Sequence, residues 1–225
     1  MGLNDKFYCE NGAWSHGGGK VLHDHTPHGW LTFRQVIEKS SNIGTVKVAM
    51  KLGGNNLYNY IKRFGFGDLT DIDMPGEVPG FIRSPSKWSG TSIYAIPMGQ
   101  EVTVSSIQMA RAMSVIANGG KLMRPRVIQA VQDKHGEIIK EFQPETVREV
   151  LSEETAAAMR DILGGVVTDG TGQYAKVEGY DVGGKTGTSQ KIENGAYSHS
   201  KFIGSFVGFA PVKDPKIVVV VMLDQ

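Results

Sequence analysis

Disulfide chemistry is the first thing this chain lacks. Cys9 is its single cysteine, so no bridge can form within it and thiol usage says nothing about its redox compartment. Long apolar runs are scarce too: the longest, 217–223, is about a third of the roughly 20 residues a helix needs to cross a bilayer. The opening residues do not show the charged, apolar, small-residue order of a secretory leader. An excess of charge is the third absence. With 24 Lys and Arg against 23 Asp and Glu the net charge is +1, and the cations are spread along the chain, so no basic face for nucleic acid stands out. What is present is 225 residues of 40% hydrophobic content, enough for a full core in one large domain or two subdomains.

The densest chemistry lies in Gly183-Gly184-Lys185-Thr186-Gly187-Thr188-Ser189-Gln190, where a lysine, hydroxyls and bare backbone amides suit a grip on an anionic oxygen. Two readings compete for it. Counted from Gly179, the stretch Gly179-x-x-x-x-Gly184-Lys185-Thr186 fits the P-loop pattern, and 218–224 offers an apolar strand ending in Asp224. Without the first glycine, Lys185-Thr186-Gly187 is similar to the Lys-Thr-Gly element of penicillin-binding proteins and class A β-lactamases. A P-loop needs a buried strand before it and a helix after it, whose unpaired amides hold the phosphates. Here turn formers precede it, in 168–173 and Glu178-Gly179-Tyr180, and Glu193-Asn194-Gly195 stops any helix that follows. The downstream pattern predicts an antiparallel meander instead: a strand over 185–192, a turn at Asn194-Gly195, a return over 202–209, a turn at Lys213-Asp214-Pro215 and a buried strand over 217–223. Nucleotide binding stays as a remote alternative.

Upstream, residues 1–30 are rich in Gly, His and aromatic side chains without periodicity, which predicts an irregular, largely surface segment that includes Gly17-Gly18-Gly19. Cys9, His23, His25 and His28 are ligand types suited to zinc, but their spacing matches no zinc pattern. They read as ordinary loop side chains, and no motif calls for a metal or cofactor. Thr32-x-x-Gln35 is a capping box that opens a helix. That helix runs into Ser40-Ser41-Asn42, and a second helix follows with Ile43, Val46, Val48, Ala49 and Leu52, closed by Gly53-Gly54. Taken alone, Ser41 or Asn42 is simply that helix's cap; alongside Lys-Thr-Gly, Ser-x-Asn becomes a second chemical motif. Asn55 or Asn56 caps a third helix, and the proline-rich stretch 68–99 makes a long excursion.

Ser84-Pro85-Ser86-Lys87 and Ser198-His199-Ser200-Lys201 both spell Ser-x-x-Lys, a nucleophile and its base, but such a pair works only one helical turn apart on one helix face. Neither run has a helical pattern, so neither is taken as the nucleophile. Residues 103–118 predict a helix with Met109, Ala112, Met113 and Ile116 on its core stripe. Segments 122–131 and 137–142 predict a hairpin around Lys134-His135-Gly136. Ser152 caps a further helix that buries Met159, Ile162, Leu163 and Val166, and the polar loop 168–182 leads to Lys185.

The order Ser-x-Asn, long helix, Lys-Thr-Gly, two further strands resembles the transpeptidase domain of class B penicillin-binding proteins over essentially the whole chain. The resemblance rests also on Tyr8-Cys9-Glu10-Asn11-Gly12, His28-Gly29-x-Leu31-Thr32, Ser40-Ser41-Asn42-Ile43-Gly44, Phe64-Gly65-Phe66-Gly67, Met74-Pro75-Gly76-Glu77, Met98-Gly99-Gln100, Ile116-Ala117-Asn118-Gly119-Gly120 and Gly184-Lys185-Thr186-Gly187-Thr188. The Ser-Ser-Asn-Ile-Gly and Met-Gly-Gln-Glu stretches look most like the division-associated branch. The resemblance implies an α+β fold of the penicillin-binding protein and serine β-lactamase type, with an antiparallel sheet, an all-helical subdomain and a cleft between them. Residues 1–150 would be the loop-rich, mainly helical part and 151–225 a helix followed by the meander.

The chemistry it implies is attack by a serine on the D-Ala-D-Ala end of a peptidoglycan stem peptide, followed by transfer of the acyl group to an amine of a neighbouring stem. β-Lactams imitate that substrate. By motif position Ser40 would relay protons, Asn42 would hold the substrate amide and Lys185 would supply positive potential. Thr186 and Thr188 would bind the terminal carboxylate beside Gly187, with the Thr188 amide as an oxyanion donor. The family's Ser-x-x-Lys helix, first strands and closing helix have no counterpart here, so the chain reads as an inactive fragment of a protein anchored in the cytoplasmic membrane and facing outward. Implied partners are stem peptides, β-lactams in the intact enzyme, division-complex proteins and, through the strand edge at 217–223, a second copy of the fragment. The alternative from another class is a non-catalytic module that binds peptidoglycan or a division partner.

Overall fold

The computed structural model describes residues 1–16, 21–193 and 196–224. The Gly17-Gly18-Gly19 run and the turn expected at Asn194-Gly195 lie outside them. In the first thirty residues β1 (Lys6–Tyr8), β2 (Ala13–Ser15), β3 (Val21–His23) and β4 (Trp30–Thr32) form two antiparallel ladders, β1 with β4 and β2 with β3. This corrects the irregular surface segment expected there. Phe7, Cys9 and Leu31 are buried against Val36 and Ile43 and seed a core. Strands of three residues are too short for alternation to announce them.

Helix α1 (Phe33–Glu38) starts at the expected box: Thr32 Oγ1 accepts from Gln35 N, and Gln35 Oε1 accepts from Thr32 N. Helix α2 (Asn42–Leu52) buries Ile43, Val46 and Ala49. Helix α3 (Gly54–Arg63) is capped by Gly53, not by Asn55 or Asn56. Asn56 sits in its first turn and donates to the Leu52 carbonyl at 3.0 Å. The excursion contains β5 (Phe81–Ile82), α4 (Ser92–Ala95) and β6 (Val102–Thr103), with β5 paired to β6. Helix α5 (Ser106–Ala117) therefore begins later than 103, because Val102 and Thr103 are held in that ladder and Ser105 is the cap.

β7 (Lys121–Met123), β8 (Ala130–Gln132), β9 (Ile138–Glu141) and β10 (Thr146–Glu149) divide the expected hairpin. Only β8 and β9 pair as one, whereas β7 pairs with β10. The run 122–131 looked continuous because both of its ends are apolar; tertiary pairing splits it.

Helix α6 (Glu153–Thr168) is capped by Ser152, whose hydroxyl accepts from Thr155 N. It leads through the polar loop to β11 (Gly183–Glu193), β12 (Ala196–Ala210) and β13 (Ile217–Asp224), an antiparallel sheet in the order β11-β12-β13. Helices α5 and α6 pack on one sheet face, where Met113, Leu163, Val166, Val207 and Phe209 form the second core, with Ile37 from α1 against it. β13 is not the buried strand expected: Val218 and Val220 pack on that core, while Val219 and Val221 are exposed at 44% and 46%. Among the described residues its outer edge has no partner strand.

Candidate active site

Local chemistry shapes the backbone of the junction between α1 and α2, and one remote carboxylate braces it. Ser40 has φ 55°; its N–H donates to Ile37 O at 3.2 Å, and Ser41 N–H donates to Val36 O at 3.1 Å. That is a Schellman ending in which Ser40 occupies the left-handed position usually given to glycine. A side chain there costs on the order of 1 kcal/mol. The next residue starts α2 at once, because Ser41 Oγ accepts from Gly44 N at 2.9 Å. Asp24 braces the turn, accepting from Ser41 Oγ at 2.6 Å and from Ile43 N at 2.9 Å. Ser41 is thus the cap, as the plain structural reading allowed, and Ser40 is left to project its hydroxyl from a strained position.

The partner of Ser40 comes from β11. Alternation places Gly183, Lys185 and Gly187 on the sheet face that carries Val207 and Phe209, under α6. Thr186 and Thr188 face the other way. The paired glycines admit rings from β12: a Cβ on Gly183 would stand 2.7 Å from the Phe209 ring, and one on Gly184 2.4 Å from the Phe206 ring. What the sequence presented as bare amides is therefore at least partly a packing requirement.

Lys185 runs beneath the helices and its Nζ donates to Ser40 Oγ at 2.8 Å and to Thr186 O at 3.0 Å. Among the described residues no carboxylate pairs with it. Burial is the cause that pushes its pKa down to about 8, since desolvation disfavours the ammonium. Because the ammonium donates to Ser40 Oγ, the Ser40 proton is free to point elsewhere.

Of the six candidate residues, Ser40 and Lys185 meet. Thr186 flanks them, its hydroxyl 2.9 Å from that of Thr171. Gly187 pairs with Ser205 across the ladder, and Thr188 is exposed. Asn42 is tied elsewhere, its amide donating to His23 O at 2.9 Å. Sequence reasoning missed Asp24 and Thr171. Each is a single polar residue in an irregular stretch, and only the hydrogen bonds they make distinguish them. Neither Ser-x-x-Lys run lies on an α-helix. Ser84 Oγ lies 3.0 Å from Ser86 Oγ beside a 3-10 turn, and Ser198 Oγ accepts from Lys201 N at 3.2 Å within β12. After Lys185 the chain continues as strand to Glu193, so the helix a phosphate loop requires does not follow it. Among the described residues no three His, Cys, Asp or Glu side chains converge on a cation site. No helix there is long and apolar enough to cross a membrane.

Known proteins share the sequence and fold of this chain. The penicillin binding protein transpeptidase domain matches residues 2–225. Stage V sporulation protein D of Bacillus subtilis is 38% identical over 222 residues, covering 98% of this chain and 34% of that protein. Penicillin-binding protein PbpB of Mycolicibacterium smegmatis is 36% identical, covering 93% of this chain and 34% of that one. The crystal structure of penicillin-binding protein 3 from Mycobacterium tuberculosis with aztreonam superposes with a TM-score of 0.90 at 32% identity, over 99% of this chain and 52% of that one. The transpeptidase domain of Burkholderia pseudomallei penicillin-binding protein 3 gives 0.87 at 35% identity, over 99% and 64%. The chain spans about a third of the length of these curated relatives, and across that span it belongs to the transpeptidase family of the class B penicillin-binding proteins.

Proposed function

We propose that this chain supplies the Ser-x-Asn and Lys-Thr-Gly half of the acyl-transfer site of a peptidoglycan D,D-transpeptidase. The observation that carries the reading is the 2.8 Å bond between Lys185 Nζ and Ser40 Oγ, which joins the two motifs across 145 positions of sequence. In the reaction a serine oxygen, carried outside these residues, bonds to the carbonyl carbon of the penultimate D-Ala. The C–N bond to the terminal D-Ala breaks, and the serine's proton passes to the leaving amine. An amine of a second stem then attacks the ester and regenerates the serine. Ser40 lies where it can pass that proton, its oxygen held by Lys185. The Lys185 charge stabilises the oxyanion and the substrate carboxylate in a desolvated site, with Thr186 and Thr188 as hydroxyl donors. The Thr188 amide serves the oxyanion, and Asn42 releases His23 to meet the substrate amide. β11 has an open edge among the described residues, suited to an extended peptide. The site works on the outer side of the cytoplasmic membrane, within a division complex.

The test uses the protein that carries this chain. Lys185→Ala should slow its acylation by labelled penicillin about 10²- to 10³-fold, as loss of a transition-state donor does, with a smaller loss for Asn42→Ala. Rates within about threefold of wild type for both, in folded protein, would remove the assignment. Intact-mass spectrometry of the 225-residue chain alone should show no penicillin adduct, since neither Ser-x-x-Lys run lies on an α-helix, where serine and lysine stand one turn apart on one face.

A further inference from the structure

Thr171 touches both motifs at once. It lies in the loop leaving α6; its N–H donates to Glu38 O at 3.3 Å, two residues before Ser40, and its hydroxyl is 2.9 Å from Thr186 Oγ1, the residue after Lys185. The surrounding loop is held tightly. Lys39 Nζ donates to Asp169 O at 2.7 Å, Gly172 N–H donates to Val166 O at 2.9 Å, and Gly170 lies so close to α1 that a Cβ there would be 2.2 Å from Glu38 O. Thr171 is therefore fixed to the end of the helix that presents Ser40, with its hydroxyl offered to the strand that presents Lys185.

Two hydroxyls that share one hydrogen bond have one donor between them. If Thr186 donates to Thr171, its proton is spent. If Thr171 donates to Thr186, the Thr186 proton is free for an anion, and the two bonds polarise each other in the same sense. An arriving carboxylate, which can only accept, selects the second arrangement. We infer that Thr171 is a positioning residue that orients the Thr186 hydroxyl toward a carboxylate-bearing substrate, and that it contributes to selection of anionic over neutral acyl donors. This rests on the reading of Thr186 as a carboxylate donor given above.

The experiment compares acylation of the protein that carries this chain by benzylpenicillin and by its methyl ester. Thr171→Val should slow the acid about fivefold to tenfold, the worth of one hydrogen bond, and leave the ester within about twofold, while Thr171→Ser restores the acid rate. In a Thr186→Val background, Thr171→Val should change the acid rate less than about twofold, as expected of coupled residues. Should Thr171→Val fail to fold, Thr171→Ala takes its place, because it keeps the backbone bond to Glu38 and loses the hydroxyl. Equal slowing of acid and ester, no slowing of either, or full additivity with Thr186→Val would overturn the inference. Lys185→Ala separates the two failures: if it cripples acylation while Thr171 variants keep the acid-to-ester ratio, only the role of Thr171 falls. If Lys185→Ala is also silent, the site itself is misassigned.

Discussion

The seam between α1 and β11 and the outer strand β13 are built from opposite materials. At the seam a strained serine, a desolvated lysine and a tethered threonine are held by hydrogen bonds between residues 130 to 145 positions apart. At β13, Val219, Val221, Met222 and Leu223 are exposed by 44 to 61% beside an edge with no partner strand among the described residues. The seam gives up stability to hold Ser40 and Lys185 together in advance. The edge has ample apolar material, and half of it has nothing to bury against. The proposed site and the apolar edge thus sit in different places, and substitutions should move activity and stability independently.

Lys185→Met breaks the seam most completely. It should abolish the Lys185 contribution to acylation yet stabilise the fold by about 2 to 3 kcal/mol near pH 7, because an unpaired buried cation is replaced by an apolar side chain of similar length. The pH dependence follows from the same depressed pKa. The folded chain sheds the proton at about 8, whereas the unfolded chain keeps it up to the ordinary lysine value. The penalty of the buried charge is therefore fully present below pH 8 and is relieved as pH rises beyond it. Denaturant titrations from pH 7 to 10 should show unfolding free energy climbing in the wild type, a component absent from Lys185→Met; parallel curves would show that Lys185 is not desolvated.

Ser41→Ala separates scaffold from chemistry within the seam. It removes the α2 cap and leaves Asp24 without its hydroxyl donor, so stability should fall by roughly 1 to 2 kcal/mol. An unchanged midpoint in urea would show that Asp24 alone holds the helix start. On the other side of the comparison, Val219→Lys with Val221→Lys should weaken self-association of this chain by about tenfold or more in sedimentation, since inward-packed Val218 and Val220 are untouched. A wild-type monomer unaffected by the pair would mean the edge does not recruit a second copy.

The smallest effect is the sharpest. Ser40→Gly should leave stability within about 1 kcal/mol of wild type, because glycine takes the left-handed position without a Cβ penalty while the Lys185 ammonium loses the hydroxyl it donates to; acylation of the protein that carries this chain should fall. A gain in both would mean that Ser40 is strained for no chemical reason.

Much of the fold was legible because its rules are local. The Thr32 box, the Ser152 cap and the strand signal around Lys185 each operate within a few residues, and each is where the pattern placed it. The early ladders were not legible, since Lys6–Tyr8 and Trp30–Thr32 pair across a stretch that itself holds β2 and β3, and all four strands are too short for periodicity. β7 and β10 were hidden for the same reason. The Ser-x-x-Lys runs lack an α-helical pattern and lie on a 3-10 turn and a strand, yet nothing in their letters distinguishes them from a working pair.

By itself the sequence determined that two helices meet at Ser40-Ser41-Asn42, with Ser41 or Asn42 as the cap of the second, and that Lys185 lies on a strand. Capping, turn geometry and alternation depend on neighbours along the chain, and those neighbours are written there. Only the tertiary structure decided that Lys185 passes beneath the helices to reach Ser40, that its ammonium is desolvated to a pKa of about 8, and that Thr171 ties the two motifs together. Distance, burial and hydrogen-bond partners between remote segments are properties of packing, and they exist only once α1, α6 and β11 have closed on one core.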